Sequence, residues 1–354
     1  VRYGYWLPIF GGWLRNVEDE GMPTTFEYAK KVIQQGEQLG FDTTLIAELY
    51  LNDIKGPEHD SLEAWTTAAG LAAVTETTEI MAAVRPNFHN PAITAKMASN
   101  IDHISGGRFT LNVVSAWWGE EAKQYGGAFT AHDERYDRTD EFLEVVKGLW
   151  AEENETYSYE GKFYEVQDTH LHPKPVQKPN PKLYAGGESP RGKQTIVDHC
   201  DAYVMHGGTV EEVQTKIEDM KSRRKEAGKP PFQSFGMAAY VICRDTEQKA
   251  FDELNRITQV KESSAYAGYQ DFTNKSQLEQ QVKLLDYSVS NRGLRPELIG
   301  TPEQIAERIL EFEEAGVDLL LLQCSPQLEE MERFSKKVMP LVEAKRTHKK
   351  ELQT

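Results

Sequence analysis

The sequence predicts a (β/α)8 TIM barrel with insertions, a single domain over residues 1–354. Short apolar segments alternate with amphipathic ones along nearly the whole chain, as parallel βαβ units require. Eight of these segments read as strands, enough to close a barrel. Several end in polar or aromatic residues, which suits a fold whose function gathers at the carboxyl ends of its strands.

The first strand is expected over Tyr3–Ile9, stopped near Pro8, and a Gly11-Gly12-Trp13 loop follows. Ala29, Val32, Ile33 and Gly36 recur at helical spacing within Thr24–Gln38, and Gly40 ends that helix. The second strand is Phe41–Ala47. Further helices are read at Ser61–Val74 and Pro91–Ile104, flanking a third strand at Glu79–Val84. A Gly106-Gly107 turn leads into the fourth strand, Arg108–Val114, and a long helix covers Asp133–Trp150. The Pro-rich stretch near 152–181 carries a small hairpin signature around Thr156 and Phe163. Lys182–Ala185, Ala202–Met205 and Phe235–Cys243 are the next strands, with helices at Arg191–His199, Val210–Ala227 and Thr246–Thr258. Periodicity weakens near 261–296, apart from a helix near Lys275–Leu285, and this stretch reads as a mobile lid. Thr301, Pro302 and Gln304 start a helix with cap, Pro and capping-box partner in order. Val317–Leu322 is the eighth strand and Leu328–Leu341 the closing helix.

Composition narrows the function. A formal net charge of −16 argues against a nucleic-acid partner, and the basic residues Lys345, Arg346, Lys349 and Lys350 sit at the C-terminal helix end. No apolar run approaches the roughly 18 residues of a membrane span, and no signal segment opens the chain, so a cytoplasmic protein is expected. The first residue is Val, which suggests that residues are missing before it. Cys200, Cys243 and Cys324 are odd in number and set among apolar residues, as buried reduced thiols would be. Gly-x-Ser-x-Gly, His-Glu-x-x-His, Cys-x-x-Cys, Walker and Gly-x-Gly-x-x-Gly motifs are all missing from the sequence.

The strand ends hold the candidate chemistry. Trp6 follows the first strand, Glu48 the second, Arg85 and Asn87 the third. The fourth, Leu111-Asn112-Val113-Val114-Ser115, runs into Trp117 and Trp118. A buried amide such as Asn112 must find partners or cost stability, so it either bonds a neighbouring strand end or faces a ligand. Arg85 suits a rim salt bridge or an anion. Gly186-Gly187-Glu188-Ser189 joins a strand to a helix start, either as a phosphate cradle or as a plain turn capped by Ser189. His132 and Tyr136 stand at i and i+4 and can share one pocket, or serve as cap and core. With His206 and Tyr240 added, the set is aromatic and amide-rich, suited to a flat conjugated ligand more than a metal.

Five segments, in order, carry a wider resemblance: Ala98–Arg108, Asn112–Trp117, His132–Tyr136, Tyr184–Ser189 and Leu298–Ile305. In these the sequence resembles the bacterial luciferase-like flavin-dependent monooxygenases, in the branch of alkanesulfonate, dimethylsulfone and pyrimidine-ring-opening enzymes. The resemblance implies a TIM barrel, FMN bound as FMNH2 and supplied by an NAD(P)H-dependent FMN reductase, O2 as co-substrate, and a homodimer or homotetramer. It implies that Asn112, Ser115, His132, Tyr136, Gly187, Glu188 and Ser189 bind the cofactor, with Asn112 and Arg292 catalytic. Trp6, Trp117, His206 and Tyr240 would wall the substrate space. Alkanesulfonate enzymes carry an Arg and a His where this chain has Ala238 and Tyr240, a thiol near Ser61 and a Tyr near Ser325, whereas Arg292 matches their mobile-loop Arg. That uncharged pocket favours a dimethylsulfone-type substrate. The competing expectations are a deazaflavin (F420)-dependent reductase on the same fold, and a flavin-binding protein without turnover.

Overall fold

The computed structural model describes residues 1–115, 117–259, 286 and 288–353. Eight parallel strands close on themselves: β1 (Arg2–Trp6), β2 (Thr43–Ile46), β3 (Glu79–Val84), β4 (Phe109–Val113), β7 (Leu183–Ala185), β8 (Ala202–Met205), β9 (Ser234–Cys243) and β11 (Leu319–Gln323). Closure runs through two pairings out of chain order at the seam, Tyr5 beside Leu322 and Leu321 beside Ala238, and through Val204 beside Gly236. The fold is a TIM barrel.

Local sequence signals set the helices. In α1 (Phe26–Gln38) the Thr25 hydroxyl accepts from the Tyr28 amide, and in α3 (Pro91–Ser105) the Asn90 carboxamide caps while Pro91 fills the first turn. Gly106 (φ 67°) and Gly107 (φ 89°) then turn the chain into β4 through left-handed backbone that a side chain would strain. α2 (Ala64–Ala72), α4 (Gly119–Gln124) and α5 (His132–Trp150) follow the second, fourth and same fourth strand's loop in turn. α6 (Pro190–His199), α7 (Val210–Glu226) and α8 (Glu247–Thr258) follow β7, β8 and β9. β5 (Tyr157–Glu160) and β6 (Glu165–Thr169) form an antiparallel hairpin between α5 and β7.

The expectation differs from the structure in the sheet and at the closing helix. A short strand, β10 (Leu298–Gly300), extends the sheet beside β9. Its three residues are too few to show alternation. The closing helix is two, α10 (Gln327–Lys337) and α11 (Met339–Gln353), after α9 (Pro302–Glu314). Val338 separates them, and Pro340 lacks the amide that would continue α10. The expected helix near 275–285 and most of the expected lid lie outside the described residues.

Strand pleating sorts the core into two parts. The larger cluster lies between barrel and helices, around residues such as Tyr5, Val32, Phe109, Leu143 and Leu322. The smaller fills the barrel's interior: Leu45, Met81, Tyr184, Ala202, Val204, Leu319 and Leu321, with Trp6 resting on it. At the amino ends of the strands Arg2 closes the interior, donating to Glu79 Oε2 at 3.1 Å and to Tyr184 Oη at 3.2 Å. The interior is therefore packed below and open only toward the carboxyl ends. Asn112, Ala238 and Gln323 lie toward those carboxyl ends, where all three line a cavity.

Candidate active site

A cavity of about 320 Å³ opens at the carboxyl ends of the strands, within the range of small-molecule sites. Trp6, Asn112, Ser115, Trp117, His132, Tyr136, Gly187, Glu188, His206 and Arg292 all line it, so one pocket gathers most of the residues singled out from the sequence.

Asn112 is 7% exposed, and its Oδ1 has no hydrogen-bond partner among the described residues. The same holds for Trp6 Nε1, His206 Nδ1 and both amide atoms of Gln323, all of them cavity-lining. Orphaned polar atoms buried in a protein cost roughly 1–3 kcal/mol each. Their gathering around one cavity marks the positions where a bound molecule supplies partners. Ser115 Oγ lies 2.9 Å from Thr139 Oγ1, which fixes the strand end to α5. The Trp117 and Trp118 rings stack 5.7 Å apart at 8°, and Trp117 is the one that reaches the cavity.

His132 opens α5 and its ring meets that of Tyr136 edge-on at 5.1 Å, so the i, i+4 spacing does put both on one wall. Ser189 caps α6, its hydroxyl accepting from the Gly192 amide at 2.9 Å, and it does not line the cavity. Gly187 does, and a Cβ there would come 3.5 Å from Tyr136 Oη. Glu188 turns aside from this corner. Its carboxylate pairs with Lys216 and with Arg292 Nη1 at 3.0 Å, and these cations hold its pKa at about 2 against the pull of burial.

Two charged clusters brace the walls. Arg85 is 1% exposed and forks onto Glu121, with Nη2 to Oε1 at 3.1 Å, while its Nε lies 3.5 Å from Glu48. Glu48 also meets His89 and accepts from the Arg85 amide at 2.8 Å. Arg85 is thus a buried salt bridge, as a rim arginine can be. Arg15 pairs with Asp53 at 3.3 Å and reaches Ser290 Oγ at 3.4 Å, tying the loop after β1 to the 288–292 segment. In that segment Asn291 (φ 58°) and Arg292 (φ 52°) hold left-handed backbone, strained for side-chain-bearing residues.

Tyr240 differs from its expected role: it does not line the cavity. It is 1% exposed within the outer core, and its amide donates to Gly293 O at 2.7 Å. A Cβ on Gly293 would sit 3.1 Å from Tyr240 Cβ, so the 290–293 segment covers the residue that strand alternation alone would have exposed. Gln323 is the opposite case, a cavity residue that the sequence reading passed over by ending the eighth strand at Leu322. The available signal was the one that flagged Asn112, an amide closing an apolar run.

Burial is the first cause of His206's depressed pKa, about 4, with Arg292 adding to it. Lowered from 6.5, it makes the neutral ring's contribution to stability complete above pH 6.5 and lost as pH falls toward 4. His206→Gln is therefore expected to flatten the decline of the melting temperature between pH 6.5 and 4. An unchanged slope would contradict this.

Among the described residues no cluster of His, Cys, Asp or Glu could hold a metal, and no helix is long and apolar enough to cross a membrane. The three cysteines are buried and unbridged.

The model of the family described as luciferase-like monooxygenase matches residues 2–319. An FMNH2-dependent dimethylsulfone monooxygenase of Pseudomonas putida is 33% identical over 357 residues, covering 97% of this chain and 95% of the relative. A protein of the same description from Pseudomonas fluorescens (strain Pf0-1) is 31% identical, covering 97% and 94%. Among solved structures, a long-chain alkane monooxygenase (LadA) superposes with a TM-score of 0.80 at 20% identity, covering 98% of this chain and 91% of that one.

Proposed function

Because the chain belongs to the luciferase-like monooxygenase family, we propose that it is an FMNH2-dependent monooxygenase acting on a small organosulfur compound, a neutral sulfone such as dimethylsulfone. The observation that carries this reading is the ring of orphaned polar atoms around the cavity at the carboxyl ends of the strands: Trp6 Nε1, Asn112 Oδ1, His206 Nδ1 and the Gln323 amide. The residues present fit the cofactor. Aromatic walls and amide edges suit a flat heteroaromatic ring, and the Gly187 turn at the start of α6 leaves room for a phosphate near a helix N-terminus.

Bound FMNH2 supplies the two electrons with which one atom of O2 enters the substrate and the other leaves as water. The protein's own part is to hold and to exclude. Asn112 would hold the flavin ring through its buried carboxamide, and Tyr136, Gly187 and Ser115, which line the same cavity, would bound the ring and its tail. Ser189 acts one step back by capping α6. His206 stays neutral near pH 7, because its pKa lies at about 4, so it orients ligands without releasing a proton. Trp6 and Trp117 keep the substrate space apolar and dry.

The neutral substrate follows from the charge pattern. Among the described residues, Arg15 faces Asp53, Arg85 faces Glu48 and Glu121, and Arg292 faces Glu188, while Arg135 donates to Thr130 O at 2.7 Å and lies over the Phe129 ring. A sulfonate would have to take a guanidinium from one of these partners, whereas a sulfone brings no charge to compensate. Arg292 acts through Glu188, fixing the wall rather than clamping an anion.

The sequence lacks a Gly-x-Gly-x-x-Gly dinucleotide fingerprint, so the reducing equivalents come from a separate NAD(P)H-dependent FMN reductase. The buried free thiols suit a reducing cytoplasm. Ile93, Met97 and Ile104 are exposed on α3 and give a homodimer or homotetramer an apolar face to cover. Turnover with an FMN reductase tests the reading. Dimethylsulfone should be consumed with sulfinate formed, and methanesulfonate left untouched. Consumption of methanesulfonate in preference would overturn the neutral-substrate reading.

A further inference from the structure

The most demanding polar groups in the cavity lie at one seam of the barrel. Gln323 ends β11 and Trp6 ends β1. The two strands are paired in register, with Tyr5 beside Leu322, so the next residues, Trp6 and Gln323, stand side by side at the strand ends. Tyr5 and Leu322 point into the outer core, so alternation sends both successors inward, and both line the cavity. Gln323 is 1% exposed, and among the described residues neither its Nε2 nor its Oε1 finds a partner, nor does Trp6 Nε1. On the other flank, Gln323 pairs with Tyr240 and Leu321 with Ala238, so the small cavity-lining Ala238 lies two residues before the amide's own partner along β9.

We propose that Gln323 and Trp6 form the substrate-oxygen subsite, the carboxamide and indole N–H groups donating to the oxygens of a neutral sulfonyl compound. The inference rests on the monooxygenase reading above and adds which side chains select the substrate. Its chemistry is that of mismatch avoided. The two neutral donors, Trp6 Nε1 and Gln323 Nε2, are matched by the two acceptor oxygens of a sulfonyl group. A thioether leaves both donors orphaned, and a site built to hydrogen-bond a substrate rejects analogues that lack the bonding group. No bond is made or broken at this subsite. It orients the molecule so that its carbon or sulfur faces the reacting edge on the Asn112 side.

The test uses the full-length protein with an FMN reductase and three conservative variants: Gln323→Met, Gln323→Glu and Trp6→Phe. Met keeps the volume and removes both amide atoms, Glu replaces a donor with a repelling carboxylate, and Phe removes the indole N–H together with its five-membered ring while keeping an aromatic wall. Melting temperature and FMN affinity are measured first, then KM and kcat for dimethylsulfone and dimethyl sulfide. Wild-type protein should prefer the sulfone. Each variant should bind FMN within about twofold of wild type while KM for the sulfone rises about tenfold or more, the loss expected of one hydrogen bond. Gln323→Glu should show the largest rise, and the preference over the sulfide should shrink. An unchanged KM in folded variants would overturn the subsite. So would FMN affinity falling in step with turnover, which would give the amide to the cofactor. If Gln323→Met does not fold, Trp6→Phe and Gln323→Glu decide by the same criteria. Should wild-type protein oxidise no sulfone at all, the monooxygenase reading and the subsite fall together, an outcome separate from variants that behave like an active wild type.

Discussion

Asn112→Ala is expected to lower turnover on dimethylsulfone by about 10²- to 10³-fold, the loss seen when one preorganised polar group is removed from a reacting centre. The reason lies in where the side chain sits. β4 is buried along its length, and Asn112 is the one amide in it, between Ala83 on β3 and Tyr184 on β7. Its Oδ1 has no partner among the described residues, so the fold bears the cost of that group instead of drawing stability from it. Removing it should leave the melting transition within about 1 kcal/mol of wild type. FMNH2 affinity should stay within a few-fold, because Tyr136, Gly187 and the start of α6 remain. Activity lost with fold and affinity kept is the pattern of a group that acts on the reacting edge. Equal activity in Asn112→Ala would remove the residue from the mechanism.

Arg85→Met should cost about 3–5 kcal/mol of folding free energy, read from urea unfolding, because it leaves two carboxylates buried without their cation. Glu48 is 3% exposed and Glu121 is fully buried. The Arg85 guanidinium also lies 4.4 Å from the Phe88 ring centre, so packing is lost together with charge. Adding Glu121→Gln to Arg85→Met should recover part of the stability, since one stranded charge is then removed. No recovery in the double variant would mean that packing, and not charge, sets the cost. The functional consequence follows from α4. Glu121 belongs to the short helix that anchors the loop after β4, so breaking its bridge loosens the segment that presents Ser115 and Trp117.

The barrel was legible because periodicity repeats: each strand and helix supports the next, and Thr301 with Gln304, or Asn90 with Pro91, marks a helix start within a few residues. The site was legible where one strand carried its own contradiction, as Asn112 does amid Leu111 and Val113. What stayed hidden depends on contacts distant in sequence. Tyr240 has the right alternation to face the cavity, but Gly293 packs over it, and nothing within β9 reports that. Glu188 looked misplaced beside a phosphate cradle until Lys216 and Arg292, 28 and 104 residues away, were found to hold its carboxylate. Resemblance alone also blurs roles. In the matched segment 98–108, Asp102 is buried and accepts from Gln177, and Arg108 donates to the carbonyls of Ala72, Thr75 and Thr78. Those residues hold the barrel's shoulder and never reach the cavity.

The central claim is that this chain couples reduced FMN and O2 to oxidation of a sulfone, and a single-turnover comparison tests it most directly. Protein is mixed with photoreduced FMN and dimethylsulfone under anaerobic conditions, then with an equal sample exposed to O2. The account predicts no loss of dimethylsulfone without O2. With O2, up to one sulfone should be consumed per flavin, with oxidised FMN recovered. Equal sulfone loss in both samples, or flavin oxidation with the sulfone untouched, would contradict it.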